Sequence, residues 1–174
     1  MELLGVVLRA LFQFLIALLL ARLEIEIEGP HGWAVKLPTW RWGPEWWLKL
    51  TNGKPLTGYH ACLLSLLVLL FHWPLFGAFS WKAEARVLST FFQTVFAWDL
   101  LWFLLNPAFG WANFKPGKVW WFRRWLGPFP ADYYFSAGMC FLLAWASGDL
   151  HYRTAEFLLQ VPLVLAAVAL RPRR

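Results

Sequence analysis

The feature that most restricts this chain is a series of long apolar runs with few charges in them. Crossing a bilayer as a helix takes about 20 apolar residues. Five segments approach that length: 3–22, 58–79, 87–106, 132–148 and 155–170. Hydrocarbon offers no partner to backbone N–H and C=O groups, so runs of this kind must be helical. The composition agrees. Apolar residues make up 60% and charged residues 15%, against about half and about a quarter in a soluble domain. The mean hydropathy is +0.50. Fourteen Trp and sixteen Phe accompany this, and Trp favours the lipid–water boundary. The expected fold is an all-α membrane bundle of about five helices, a single integral membrane domain over 1–174.

The last two segments are short, and Gln160 and Pro162 interrupt the fifth, where a missing backbone donor predicts a kink. Residues 10–21 resemble the apolar core of a signal peptide, but RLEIEIEG is a poor cleavage site, so 3–22 is read as the first helix. Two connections are long, 23–57 and 107–131. Five helices put both on one side together with the C-terminus. That side carries 12 of the 16 Lys and Arg residues. The positive-inside rule then makes it cytoplasmic and places the N-terminus outside, in a cell (inner) membrane. The net charge of +6 is read as loops facing anionic lipid and not as a nucleic-acid surface.

The first loop has its own pattern. RLEIEIEG alternates charged and apolar residues, which predicts a short strand. GPHGW supplies a turn and AVKLPTW a second strand, giving a β-hairpin on the membrane surface. WRWGPEWWLKL and, in the second loop, VWWFRRWL read as interfacial segments. Cys62 and Cys140 lie in apolar segments without metal spacing and read as small buried hydrophobes.

Ionisable residues in apolar segments are costly and mark function or pairing. Asp99, in WDLLWFLLNP, is the clearest. It lies about 7 residues, or about 10 Å, from the cytoplasmic end of its helix. Asn106 shares its face. His60 opens the second helix, and Asp132 and Tyr133 open the fourth, at the same end. Glu24, Glu26, Glu28, His31 and Arg41 approach from the first loop. Asp99 and His60 are therefore candidate acid–base groups, with Asn106 orienting substrate. Asp99, His60, Asp132 and a loop Glu are candidate ligands for a divalent transition metal, since carboxylate and imidazole suit such ions, although no local metal motif is present. A helix-capping role is the simpler reading of Asp132. Arg9 and Gln13 form a second polar level with Gln93, and a structural account of Asp99 pairs it with Arg9 or Gln13. Arg41, Arg123 and Arg124 could hold an anionic headgroup in two-pronged fashion. His72 and His151 are placed at the outer side, away from any site.

Five helices, many Trp and the loop sequence VKLPTWRWGP resemble the tryptophan-rich sensory protein (translocator protein) family. In that family the first loop of a five-helix bundle covers a pocket for porphyrin or sterol. The resemblance rests on Lys36, Pro38, Trp40, Pro44 and the architecture, and it carries no residue roles across. The leading expectation is a membrane-embedded enzyme acting on a lipid or other hydrophobic small molecule near the cytoplasmic face. The alternatives are a Trp-lined binding or transport protein for a flat ligand, and a small ion-coupled carrier or channel. Any of these could act as an oligomer.

Overall fold

The computed structural model describes residues 2–171; Arg173 and Arg174 of the basic tail lie outside them. In chain order the elements are α1 (Glu2–Glu28), β1 (Arg41–Trp42), α2 (Glu45–Leu50), β2 (Leu56–Thr57), α3 (Gly58–His72), a 3₁₀ turn (Trp73–Leu75), α4 (Trp81–Leu105), α5 (Gly110–Asn113), β3 (Trp125–Leu126), β4 (Phe129–Pro130), α6 (Ala131–Ser147) and α7 (Leu150–Ala169). Four stretches are long and apolar enough to cross a membrane: Leu3–Glu28, Gly58–Leu75, Trp81–Leu105 and Leu150–Ala169. The remaining long helix, α6, has 17 residues, slightly short of a full span.

Helix α1 corrects the expected strand at EIEIE. Val6, Ala10, Gln13, Ala17, Ala21, Glu24, Ile25 and Glu28 are buried, which is the three-to-four spacing of one helical face. The run alternates charged and apolar residues, yet its inward positions are Glu24, Ile25 and Glu28, while Glu26 and Ile27 are exposed. Helical geometry therefore continues through the run. Small residues on this face, Ala10, Ala17 and Ala21, let the neighbouring helices approach closely.

Helix α4 is the centre. It packs against α1, α3, α6 and α7, and about half of its span is buried. Ser89 on α4 donates to the Cys140 carbonyl on α6 at 2.8 Å. Helix α7 starts five residues earlier than the apolar pattern suggests. Gly148 ends α6 with a left-handed φ of 83°, and Arg86 anchors the short turn through Asp149 at 2.5 Å. Pro162 lies within α7.

The long loops fold over one end of the bundle. In the first, β1 pairs antiparallel with β2 (Arg41 opposite Thr57), enclosing α2. The two-stranded feature is thus later in the loop than the expected hairpin. The second loop forms a tighter hairpin, β3 with β4, which the sequence pattern did not suggest. The rings of Phe103, Phe114, Trp121, Phe122 and Tyr133 pack upon one another above the end of α4. The loops touch at Gly32, whose left-handed φ of +65° and lack of Cβ admit the Trp121 ring; an added Cβ would sit 2.4 Å from it.

Asn52 ties the loops together. Its amide donates to the Arg124 carbonyl (3.0 Å) and to Asp132 Oδ2 (2.7 Å). Its Oδ1 accepts from the Arg124 N–H at 2.5 Å. Asn also tolerates the left-handed φ of 57° found there better than most residues. Asn52→Ala is expected to cost about 1–2 kcal/mol, because it removes three part-buried hydrogen bonds, read as a lower unfolding midpoint in detergent and faster protease nicking of both loops. Unchanged nicking of the second loop would contradict this coupling.

Candidate metal centre

Three buried ligand-type side chains meet where α1 ends and α3 begins: Glu24, Glu28 and His60. Glu24 and Glu28 are four apart on α1 and point the same way. His60 is placed by an N-terminal cap. Thr57 precedes α3 and its Oγ1 accepts from the His60 backbone N–H at 3.2 Å. The same oxygen lies 2.7 Å from His60 Nδ1. His60 Nε2 is then directed at the carboxylates, 3.4 Å from Glu24 Oε1 and 3.6 Å from Glu28 Oε1. One ligand atom from each residue lies within 4.8 Å of the others.

These spacings suit one cation. Donors about 2.0–2.2 Å from an ion, at tetrahedral angles, sit roughly 3.4 Å apart. For Nε2 to ligate, Nδ1 must carry the proton and donate it to Thr57 Oγ1, the usual way a neighbouring group fixes a ligating imidazole. Two carboxylates buried together also need positive charge to offset desolvation.

Asp99 adjoins the group. Tyr133 on α6 donates a hydrogen bond to Asp99 Oδ2, and Asp99 lies within electrostatic range of Glu24, His60 and Lys54. The expected pairing of Asp99 with Arg9 or Gln13 is therefore corrected: those two side chains bond Glu156 instead. The cause is reach, since Asp99 sits six residues nearer the loop end of α4 than Gln93, the α4 side chain at the Arg9 level. Lys54 is the nearest ammonium; it is paired with Asp132 at 3.0 Å and lies over the Phe122 and Trp33 rings. Two further donors face this region without partners among the described residues. The Trp98 indole N–H is directed toward Glu24 but outside hydrogen-bond geometry, and the Tyr59 hydroxyl is unpaired beside His60.

Trp33 forms the roof. Its ring stacks on His60 with centroids 4.2 Å apart, and its indole N–H donates to the Pro55 carbonyl at 2.9 Å. Trp33 and Ala34 both have positive φ, 48° and 52°, a conformation uncommon for residues with side chains. The turn is held by hydrogen bonds from the Ala34 N–H to Glu28 and from Arg41 to the Ala34 carbonyl. Backbone strain of this kind collects at functional sites.

The other sequence candidates fall into place around this group. Asn106 is the C-cap of α4; it donates to the Gly29 carbonyl at 2.8 Å and accepts from Ala108, fastening the α1 terminus. Asp132 is held by Lys54 and Asn52 outside the Glu24–Glu28–His60 group. Arg41, Arg123 and Arg124 are exposed on the loop surface. Arg124 donates to the Lys49 carbonyl, and Arg123 lies across Gly53. His31 and His151 are exposed, and His72 bonds Glu84 at 3.0 Å. Comparison with protein-family models, curated proteins and solved structures returns no match, so the resemblance at Trp40 and its neighbours gains no support.

Trp33→Ala should expose His60, whose side chain is now 7% accessible. The expected result is a several-fold faster reaction of His60 with diethyl pyrocarbonate, resolved by peptide mass spectrometry, with His31 unchanged. Equal His60 rates would show that Trp33 is not the roof.

Proposed function

We propose that this chain is an integral membrane enzyme that uses a divalent transition-metal ion at Glu24, Glu28 and His60 to act on an ester or phosphoester of a hydrophobic substrate. The observation that carries the reading is the convergence of two carboxylates and an imidazole, buried in an apolar bundle at coordination spacing, beside a third carboxylate. Three protein ligands leave a coordination position for water or substrate, as catalytic sites do. A bound cation would polarise the substrate oxygen and make water more acidic. Asp99, oriented by Tyr133, would take the proton from that water. Asn106 acts indirectly, by fixing the α1 terminus that bears Glu28.

The basic loops suit an inner-leaflet location, with the N-terminus outside and Arg123 free to meet an anionic headgroup. The pocket reading for a flat ligand is less well supported, because the loop Trp and Phe rings pack on one another.

The test uses protein reconstituted with Zn²⁺, Mn²⁺ or Fe²⁺ in vesicles of phosphatidylglycerol, phosphatidate and phosphatidylethanolamine, with lipid products followed by mass spectrometry. Chelator-sensitive hydrolysis is expected. Asp99→Asn should slow it by about 10²–10⁴-fold, the usual contribution of a general base, while keeping the metal. Glu28→Gln should lose both metal and activity. Hydrolysis indifferent to chelator and to both substitutions, or no conversion of any of these lipids by metal-loaded protein, would overturn the reading.

A further inference from the structure

A second buried polar cluster lies toward the other end of α1, away from the loops. Arg153 on α7 is 5% exposed and donates to Glu156 (2.7 Å), Gln93 (2.8 Å), Gln13 (3.3 Å) and Thr90 (2.6 Å). Arg9 pairs with the other oxygen of Glu156 at 2.6 Å. The cluster joins α1, α4 and α7.

Its donors and acceptors do not balance. Two guanidinium groups face one carboxylate. The buried groups left without a partner here among the described residues are all donors: Arg153 Nε, Gln93 Nε2 and, one turn beyond Glu156, Gln160 Nε2. Gln93 cannot remedy this by turning its amide, because its oxygen already accepts from Arg153. A cluster that served only to join helices would leave no such surplus, since buried polar groups are normally satisfied. The cluster therefore carries surplus positive charge, and that charge reaches the surface at Arg9.

There is also a way in. A lateral groove of about 320 Å³ runs between α1, α3 and α4, within the size range of small-molecule pockets. Arg9, Gln13 and Thr90 supply its polar side; Phe12, Phe71 and Val87 supply apolar walls. The Arg9 side chain is 53% exposed, so a ligand can reach it without unfolding the bundle.

We propose that this groove binds a single-chain anionic amphiphile, with its phosphate or carboxylate head on Arg9 and the second N–H of the Gln13 amide and its chain along Phe12, Phe71 and Val87. Arg153 stands behind Gln13 and, by donating to its Oε1, fixes the amide with its N–H groups outward; Thr90 gives its hydroxyl hydrogen to the Arg86 carbonyl and only lines the wall. The site is separate from the Glu24–Glu28–His60 group and needs only that α1, α3 and α4 face lipid.

The full chain in maltoside micelles would be titrated calorimetrically with dodecyl phosphate, dodecylphosphocholine and inorganic phosphate. Dodecyl phosphate should bind about tenfold tighter than the phosphocholine, one charge-assisted contact's worth of discrimination. Arg9→Gln should remove that preference; Glu156 keeps Arg153 as partner, so the fold survives. Val87→Trp, which fills the groove and leaves every charge in place, should weaken both chain-bearing ligands and provides a second test should Arg9→Gln misfold. Equal binding of the two chain-bearing ligands, or full affinity in Val87→Trp, overturns the proposal. Inorganic phosphate binding as tightly as dodecyl phosphate would overturn the amphiphile and leave a free-anion site.

Discussion

Carboxylates buried in an apolar bundle must be given positive charge, protons or hydrogen bonds, and the loop end of this molecule is organised around that demand. Glu24 and Glu28 occupy the inward face of α1, where a helix this apolar would ordinarily carry Leu or Ala. Around them stand a capped imidazole, a Tyr-bound aspartate and an ammonium clasped by Asp132. The first loop reaches over His60 with Trp33, and the second loop holds the first through Asn52 and Trp121. Each contact excludes water from the acidic group, which strengthens the electrostatic interactions inside it. Exclusion of water and a demand for cationic charge together are what a buried metal centre requires.

The two polar levels have opposite character. Near the loops the excess is of carboxylates; toward the other end it is of guanidinium and amide donors. Both levels are built on α1 and α4, and Gln13 and Glu24 are 11 residues, or about 16 Å, apart along α1. Between them lie Phe14, Ala17 and Ala21 on α1 and Ala97 on α4, all buried. An acidic group and a basic group held apart by a packed apolar layer do not neutralise one another, and each would favour an ion of the opposite sign.

Much of the bundle is legible in the sequence because the apolar runs are long. Five long helices occupy the five segments, with α1, α4 and α7 extending further than the runs suggest. What escaped is instructive. The EIEIE stretch alternates like a strand, but burial falls on Ala21, Glu24, Ile25 and Glu28, a helical set that continues the face of Ala10 and Ala17. Extending that spacing by two turns would have found the i, i+4 glutamates. Arg153 reads as a loop residue until Gly148 is recognised as a C-cap, which starts α7 early and carries Arg153 and Glu156 inside. The partner of Asp99 could not be read from depth alone. Tyr133 reaches it laterally from α6, and nothing in one sequence fixes which helices are neighbours. The loop contacts through Gly32 and Asn52 depend on tertiary packing and leave only their turn residues as a trace.

The central claim is that Glu24, Glu28 and His60 hold a metal ion. The most direct measurement is elemental analysis of the protein purified in detergent without chelator, alongside Glu28→Gln, His60→Ala and Asp132→Asn. The account predicts about one equivalent of a transition metal in the parent protein and in Asp132→Asn, with loss in the other two, as expected of a site with three protein ligands. Stoichiometric metal retained in both Glu28→Gln and His60→Ala, or parent protein that takes up no metal when offered Zn²⁺, Mn²⁺ or Fe²⁺, would contradict it.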